Sequence, residues 1–413
     1  MGKTVAMLQS IQRLLEQGVP PHAIVRFAAD GWTAADVRTL ITNVPLPPVP
    51  DQQPRYWFVD EISSVRGGWD QQIKWLRDND PGFRSATVVL TGSNAAGLTE
   101  AGGTLAGRRG SGSRLDRTLL PMGFRTFVET LDRNDRPPLP TLRLSELHST
   151  RAAEAYASLI PWLDILVAAW GQYLQYGGFP KSVAAARRGE ALPEAFVEDI
   201  YSVVSGDAFK SSRLPSTTEM ALLERLWKSM AAPANLTAIA QDVGVAQESV
   251  SRHVEFLRDA YLLWVCPLKA STGWLPKVRS QQKLYAVDPL IARLPHLKNQ
   301  YRADVDPTVL TEMQLGLAVR RRILAEGLAS LSDDFLFFER TPSRKEIDFV
   351  AEALGGVALE GKYISSGRWR SEAATVEASA WKGILATHNV LDIGDQSRAW
   401  AVPAGLLAYL IDT

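Results

Sequence analysis

The chain has 413 residues with 45 basic and 45 acidic side chains, so its formal net charge is zero. This balance excludes a global electrostatic attraction to nucleic acid or to an anionic membrane, and the length corresponds to roughly two to three domains. The single cysteine, Cys266, excludes an intrachain disulfide framework and is interpreted as a buried small hydrophobe. No signal segment opens the chain and no apolar run approaches the roughly 20 residues that span a bilayer, so the expected location is the cytoplasm, without a membrane partner.

The first predicted element is a helix that begins at the tripeptide Gly2-Lys3-Thr4. Apolar residues between Val5 and Leu15 follow helical spacing. The tripeptide matches the end of the phosphate-binding pattern G-x-x-x-x-G-K-[ST], in which backbone N–H groups cradle phosphates, the lysine reaches the β and γ phosphates and the hydroxyl binds Mg²⁺. A tripeptide alone is usually a chance match, so its interpretation depends on the segments that follow.

An apolar strand ending in two carboxylates comes next, after a predicted short strand over 23–28 and a predicted helix over 33–41. The run Tyr56 to Val59 is typical of a buried parallel strand, and it leads into Asp60 and Glu61. At such a strand end the first carboxylate can hold Mg²⁺ and the second can orient or deprotonate the attacking water. The alternative is a buried strand followed by a solvated acidic turn, which an isolated run of this kind favours. The predicted helix start at Lys3 makes the interpretation as a Mg²⁺-binding strand end the better one.

A second apolar strand, Ala86 to Leu90, ends in small and polar residues. In a P-loop ATPase a polar side chain reaches the γ-phosphate from this position, and Ser93 or Asn94 can fill it. The alternative is an ordinary polar turn after a strand.

Four segments together resemble a known group: VDEISSVRGGWDQQIKWLRD, VVLTGSNA, LAGRRGSGSRLDRTLLPMGFRTF and QYLQYGGFP. They are similar to the predicted AAA+ superfamily ATPases that carry a nuclease-like C-terminal domain of unknown function. The resemblance implies binding and hydrolysis of ATP with Mg²⁺, and it covers nearly the whole chain. The nucleotide site it implies contains Lys3, Thr4, Asp60 and Glu61. The phosphate-loop pattern adds Gly2, and the end of the second strand adds Ser93 or Asn94.

The resemblance also matches Arg108 to the arginine of the family's L-x-G-R segment. Arg108 or Arg109 is then expected to sense or neutralise γ-phosphate charge, within one subunit or across a subunit interface. The alternative is a basic surface loop among glycines. Because AAA+ modules often assemble into rings, the resemblance also implies a homo-oligomer.

Members of this group have a strand and a glycine-containing loop ahead of the G-K-T tripeptide, and a parallel nucleotide-binding sheet uses that strand as a central member. We therefore expect the N-terminus to be truncated inside the phosphate loop. Either the start codon is assigned too late, with Met1 an internal methionine, or the gene is a truncated copy. The first explanation is more economical, because the later motifs are intact.

The middle of the chain is predicted to be helical and then to form a winged helix. A linker-like segment, Arg136 to Pro140, precedes mostly helical sequence, and the turn Tyr176 to Pro180 interrupts it. The stretch Leu236 to Val265 has a helix-turn-helix pattern. Its second helix carries Arg252 and Arg258 against three acidic residues, so packing or protein contact is at least as good an explanation as reading of DNA bases. The following wing is more basic, and its cations can contact phosphates: Lys277, Arg279 and Lys283.

Three strands are predicted near the C-terminus, FLFFER, EIDFVAE and VALEGKY. Asp348 on the second, with Glu360 and Lys362 on the third, gives the core of the PD-(D/E)xK nuclease pattern, in which two carboxylates hold Mg²⁺ and the lysine positions water or stabilises charge. By resemblance, Glu312 on an upstream helix can complete the metal site. The alternative is a solvated, salt-bridged hairpin face, and Glu346 is interpreted as a bystander.

The predicted fold class is therefore α/β: a P-loop AAA+ type ATPase domain over 1–135, a helical region over 144–230, a winged-helix-like domain over 231–290 and a restriction-nuclease-like domain over 300–413. The predicted function is a Mg²⁺-dependent ATPase coupled to a nuclease-like module, with DNA as a partner of the winged-helix and nuclease-like regions. The alternative is a nucleotide-switched regulatory or interaction protein with little hydrolysis and no nuclease activity.

Overall fold

The computed structural model of the chain describes residues 2–50, 53–93, 95–110, 112, 115–131, 136–207, 214–329, 334–365, 367–394 and 397–412. The chain divides into two compact units, Met1–Leu119 and Leu120–Thr413, and each has its own apolar core. The division comes before the predicted linker at Arg136 to Pro140. That segment belongs to the second unit, where the Tyr409 hydroxyl donates a hydrogen bond to the Pro137 carbonyl at 2.8 Å.

The first unit is built on a three-stranded parallel sheet with the order β1-β2-β3. Its elements are α1 (Lys3–Glu16), β1 (Ile24–Ala28), α2 (Ala34–Asn43), β2 (Tyr56–Asp60), α3 (Trp69–Asn79), α4 (Pro81–Ser85), β3 (Thr87–Leu90) and α5 (Ala95–Thr104). Strand β2 is central, and its apolar residues are buried because both neighbouring strands and the helices cover them. The helices and strands predicted for this part of the chain are confirmed.

One side of this unit leaves apolar side chains accessible to solvent. Helix α1 buries Met7, whereas Val5 and Leu8 on the same helix are 57% and 47% exposed. Strand β3 is an edge of the sheet among the described residues, and its Val89 is 37% exposed. The core of the unit therefore lies around β2, α2 and α3 rather than beneath α1.

The second unit begins with a helical part. Its helices are α6 (Phe124–Thr130), α7 (Thr150–Ser158), α8 (Leu163–Tyr176), α9 (Pro180–Arg188), α10 (Glu194–Ser202) and α11 (Ser216–Trp227). The predicted turn over 176–180 is confirmed, and close packing explains its two glycines. Gly177 has φ +70°, and a Cβ at Gly178 would lie 2.0 Å from the Met122 carbonyl oxygen.

A helix-turn-helix and a small antiparallel sheet follow. Their elements are β4 (Pro233–Ala234), α12 (Leu236–Val243), α13 (Gln247–Asp259), β5 (Leu263–Pro267) and β6 (Gln282–Ala286), with the sheet order β4-β6-β5. Gly244 ends α12 in the left-handed conformation, as the sequence predicts for the turn. Cys266 on β5 is fully buried and burial raises its pKa, which confirms its interpretation as a core residue.

The unit ends in a five-stranded mixed sheet with the order β11-β10-β9-β8-β7. Its elements, with the helices around them, are α14 (Pro289–Lys298), α15 (Pro307–Glu326), β7 (Phe337–Arg340), β8 (Glu346–Val350), β9 (Val357–Gly361), α16 (Trp369–Glu377), β10 (Lys382–Thr387), β11 (Ala399–Pro403) and α17 (Ala404–Ile411). Strands β7, β8 and β9 are antiparallel, whereas β9, β10 and β11 run parallel. The three predicted strands are confirmed as β7, β8 and β9.

Within the described part of the chain, no single helix is long and apolar enough to cross a membrane. One consecutive pair, Thr150–Ser158 with Ile160–Tyr176, meets the length and composition criteria together, but it is bent by 44°.

Candidate functional site

The polar ends of β2 and β3 meet beside the start of α1 in the first unit. Asp60 is the last residue of β2 and is 3% exposed, while Glu61 follows in the left-handed conformation with φ 54°. Thr91, directly after β3, links the two: its hydroxyl donates to Asp60 Oδ1 at 2.6 Å and accepts from the Glu61 N–H at 3.2 Å. The sheet order brings these residues together because the carboxyl ends of neighbouring parallel strands share one edge.

Asp60 is held ionised by its surroundings. Burial opposes its charge, but hydrogen bonds from Thr91, Thr4 and Arg26 outweigh burial and lower the pKa of Asp60 below its ordinary value. The Arg26 guanidinium donates to Asp60 Oδ2 at 3.2 Å. An ionised carboxylate beside the Thr4 hydroxyl is an oxygen donor set that suits Mg²⁺.

Glu61 connects α1 to the end of β3. The Lys3 ammonium lies 3.5 Å from its Oε1, and the Ser93 hydroxyl donates to its Oε2 at 3.2 Å. Helix α1 starts after Gly2, which has φ 97°, and among the described residues no side chain caps it and no acidic residue lies in its first turn. The first N–H groups of α1 therefore have no side-chain acceptor among the described residues, and the positive end of the helix dipole lies at Lys3 and Thr4.

The predicted nucleotide-site residues are thus found in one place: Gly2, Lys3, Thr4, Asp60, Glu61 and Ser93. Asn94 lies outside the described residues. The loop arginines have other partners, since Arg108 Nε is 2.6 Å from Asp78 Oδ1 and Arg109 contacts Asp116. The pairing with Asp78 raises the pKa of Arg108. A role for Arg108 at a γ-phosphate stays a prediction, and it requires release of Arg108 from Asp78.

Two residues of this site are absent from the sequence prediction, Arg26 and Thr91. Arg26 is a charged residue inside the otherwise apolar strand β1, and strand β1 pairs with β2 so that Ala28 lies beside Asp60. Thr91 directly follows β3. A charge within an otherwise apolar strand, and the first polar residue after a strand, are the sequence signals that point to them.

In the second unit, the predicted nuclease residues also cluster, but around a lysine. Asp348 and Glu360 are 4% and 1% exposed, so the alternative of a solvated hairpin face is wrong. Lys283 was expected on a basic wing, yet it is 1% exposed and points inward. Its ammonium lies 2.6 Å from Glu346 Oε1, so the interpretation of Glu346 as a bystander is also wrong. The expectations for Lys283 and Glu346 are wrong because the sequence does not reveal that β6 packs against β8.

The helix-turn-helix carries little free positive charge on its second helix. Val250, Val254 and Leu257 are buried, as predicted. On the exposed face Arg252 pairs with Glu248 at 3.3 Å, and Arg258 pairs with Asp259 at 3.4 Å. Internal pairing of both arginines agrees with packing or protein contact, and DNA binding stays a prediction.

The parallel sheet, the helix starting at Lys3 and the carboxylates at the end of β2 give the first unit the arrangement of a P-loop, ATPase-like domain. Residues 1–128 match a family model described as an AAA domain. Residues 167–300 match a domain of unknown function, DUF8612, which spans most of the helical part and the helix-turn-helix. No curated protein matches the chain.

Proposed function

We propose that the first unit binds a nucleoside triphosphate together with Mg²⁺ and hydrolyses it. One observation carries the proposal: the first two residues of α1 contact the two carboxylates that end β2. Lys3 pairs with Glu61, and Thr4 hydrogen-bonds to Asp60. A phosphate chain at the start of α1 therefore meets the lysine, the hydroxyl and the helix N–H groups at once.

Binding exchanges the partners of the lysine. The Lys3 ammonium is balanced by Glu61, and both side chains are 27% exposed, so phosphate oxygens can reach the lysine. When Lys3 turns to a phosphate, the Glu61 carboxylate is released. Thr4 and Asp60 would hold Mg²⁺ between them, and the ion when bound supplies neutralisation of the charge that develops on the phosphates.

We assign the activation of the attacking water to the Glu61 carboxylate that Lys3 has released. This carboxylate can accept the water's proton or orient it, and the Ser93 hydroxyl, 3.2 Å away, keeps that carboxylate aimed at the site. Thr91 and Arg26 hold Asp60 in place, so the two carboxylates have separate tasks.

A second candidate function follows from the same exchange. Because Glu61 is tied to both α1 and the end of β3, loss of its contact with Lys3 on binding is itself a conformational signal. A chain that binds nucleotide and turns it over very slowly would then act as a nucleotide-dependent switch.

The test compares binding and hydrolysis in the full-length chain. Fluorescent ATP binding and phosphate release are measured for wild type, K3A, E61Q and the control K74A, which removes the lysine of α3. We expect K3A to weaken binding at least about tenfold, and E61Q to bind normally but to lose roughly 100-fold or more in turnover, as is typical when a general base is removed. K74A should match wild type.

Equal hydrolysis by wild type, K3A and E61Q would contradict the proposal. Binding that depends on Lys3 without hydrolysis by the wild type would instead favour the nucleotide-dependent switch.

A further inference from the structure

The carboxylate cluster of the second unit encloses the ammonium of Lys283. Its Nζ lies 2.8 Å from Glu312 Oε1, 2.6 Å from Glu346 Oε1 and 3.0 Å from Asp348 Oδ1. An ammonium has three N–H donors, so each carboxylate can receive one. Lys283 is 1% exposed, and its hydrogen-bonding capacity is saturated inside the protein.

Three elements meet at this ammonium. Lys283 comes from β6, Glu312 from α15, and Glu346 with Asp348 from β8. Two residues along β6, the Tyr285 hydroxyl donates to the same Glu312 oxygen at 2.6 Å. The approach of α15 is close, because a Cβ at Gly361 would lie 2.8 Å from the Glu312 Cα. The position of Lys283 is thus set by the packing of the whole region.

Glu360 borders the cluster and pairs with a different lysine. Its carboxylate is 1% exposed, and its Oε2 lies 3.0 Å from the Lys362 ammonium. Burial, and then the charge of Asp348, raise the pKa of Glu360 well above its ordinary value. Asp348 is different, because its Oδ2 accepts the Gly361 N–H at 3.0 Å and it contacts Lys283.

These residues do not fit a resident divalent ion. A metal held by Glu312, Asp348 and Glu360 needs oxygens that face one common point, and two of these three carboxylates face Lys283 Nζ instead. Among the described residues, no group of three or more acidic, histidine or cysteine side chains is arranged to hold a metal. A divalent ion beside a fully enclosed ammonium would also meet direct charge repulsion.

We propose that Lys283 is the resident cation of this cluster, occupying the place where a divalent ion would bind and closing the cluster to metal and to phosphodiester cleavage. Replacing the ammonium with a neutral side chain then leaves Glu312, Glu346 and Asp348 around an empty position, which is the donor chemistry of a divalent or trivalent hard cation. This inference concerns the second unit only and does not rest on nucleotide binding.

Terbium luminescence tests the proposal in the full-length, nucleotide-free chain. Trp264 stacks on Tyr285 at 4.5 Å between ring centroids, so aromatic excitation can sensitise Tb³⁺ bound at Glu312. The variants are K283M, K283M/D348N and D348N, with K269M as the control; Lys269 is another lysine of this region, 3.9 Å from one carboxylate, Glu339.

We expect wild type, D348N and K269M to give the same Tb³⁺ luminescence, because none of them binds an ion that depends on Asp348. K283M should gain one equivalent of sensitised Tb³⁺, and K283M/D348N should lose it. Added Mn²⁺ should raise the melting temperature of K283M but not that of K283M/D348N, because binding to the folded state stabilises it.

Wild type binding one more equivalent than D348N overturns the proposal, as does a folded K283M that gains no ion. If K283M does not fold, the comparison of wild type with D348N decides alone. In that comparison equal binding supports Lys283 as the resident cation, and Asp348-dependent binding contradicts it.

Discussion

A buried carboxylate is stable only when a donor or a positive charge accompanies it, and both clusters in this protein obey that rule through residues distant in sequence. Asp60 is paired with Arg26, 34 residues earlier, and Asp348 with Lys283, 65 residues earlier. The acidic residues can be picked out from the sequence because they end or interrupt apolar strands. Which cation pairs with which carboxylate cannot be read from the sequence, because strand pairing and sheet packing decide it.

Asp288 is another buried carboxylate, and it gives a prediction about pH. It is 0% exposed and accepts N–H groups from Gly178 at 2.7 Å and Leu290 at 2.9 Å. Burial raises the pKa of Asp288 from 3.8 to about 7, although these N–H groups act in the opposite direction. Between about pH 4 and 7 the folded chain then holds a proton that the unfolded chain has lost, so the free energy of unfolding falls as pH rises through this window.

The variant D288N cannot ionise and should show a shallower fall over the same window. The measurement is urea denaturation of wild type and D288N at several pH values in that range. Identical pH dependence in the two proteins would contradict the assigned role of Asp288.

Among the secondary-structure elements, α8 shows how a turn is specified. The helix ends at Tyr176, and Gly177 and Gly178 let the chain pass against Asp288 and Met122. A Cβ on Gly178 would lie 2.0 Å from the Met122 carbonyl oxygen, and that backbone cannot move without breaking the hydrogen bond between the Met122 N–H and the Gly178 carbonyl. The family resemblance includes this turn, but the reason for its two glycines is their close packing.

The variant G178A should lower the free energy of unfolding by about 3 kcal/mol, the upper part of the range for overpacking. Gly171, inside α8, provides the control, since a Cβ there would meet nothing within 4 Å. G171A should be neutral or stabilising by up to about 1 kcal/mol, because alanine is the better helix former. Denaturation midpoints measure both, and equal stability of G178A and G171A would show that the close approach is not required.

At the scale of the whole molecule, the second unit has a core that joins its helical part to its mixed sheet. Helix α17 is buried along its full length of 8 residues. Helix α8 packs against it closely, as a Cβ at Gly405 would lie 2.4 Å from the Leu166 carbonyl oxygen, and Trp170 Nε1 donates to Thr311 Oγ1 on α15 at 3.2 Å. The sequence predicts separate domains over 144–230, 231–290 and 300–413, and this division stays a prediction.

Two fragments of the chain test which residues are needed for cooperative folding of the second unit. We expect residues 120–413 to fold alone and to unfold in one cooperative transition, because one core cluster extends from Phe124 to Ile411. Residues 300–413 should not fold alone, since they lack α8 and would expose α17 to solvent. Far-UV circular dichroism and urea denaturation of the two fragments give the answer, and a cooperative transition in 300–413 would contradict this expectation.

The sequence by itself determined the secondary-structure elements and the candidate site residues that lie on them: the helix from Lys3, the strand ending in Asp60, and the strands that carry Asp348 and Glu360. These follow from local periodicity and from residues that interrupt apolar runs. Only the tertiary structure decided which cation stands beside each carboxylate, and so that Lys283 is buried rather than exposed on a wing. The physical reason is that local sequence specifies secondary structure, whereas the pairing of buried charges depends on which strands and helices pack together.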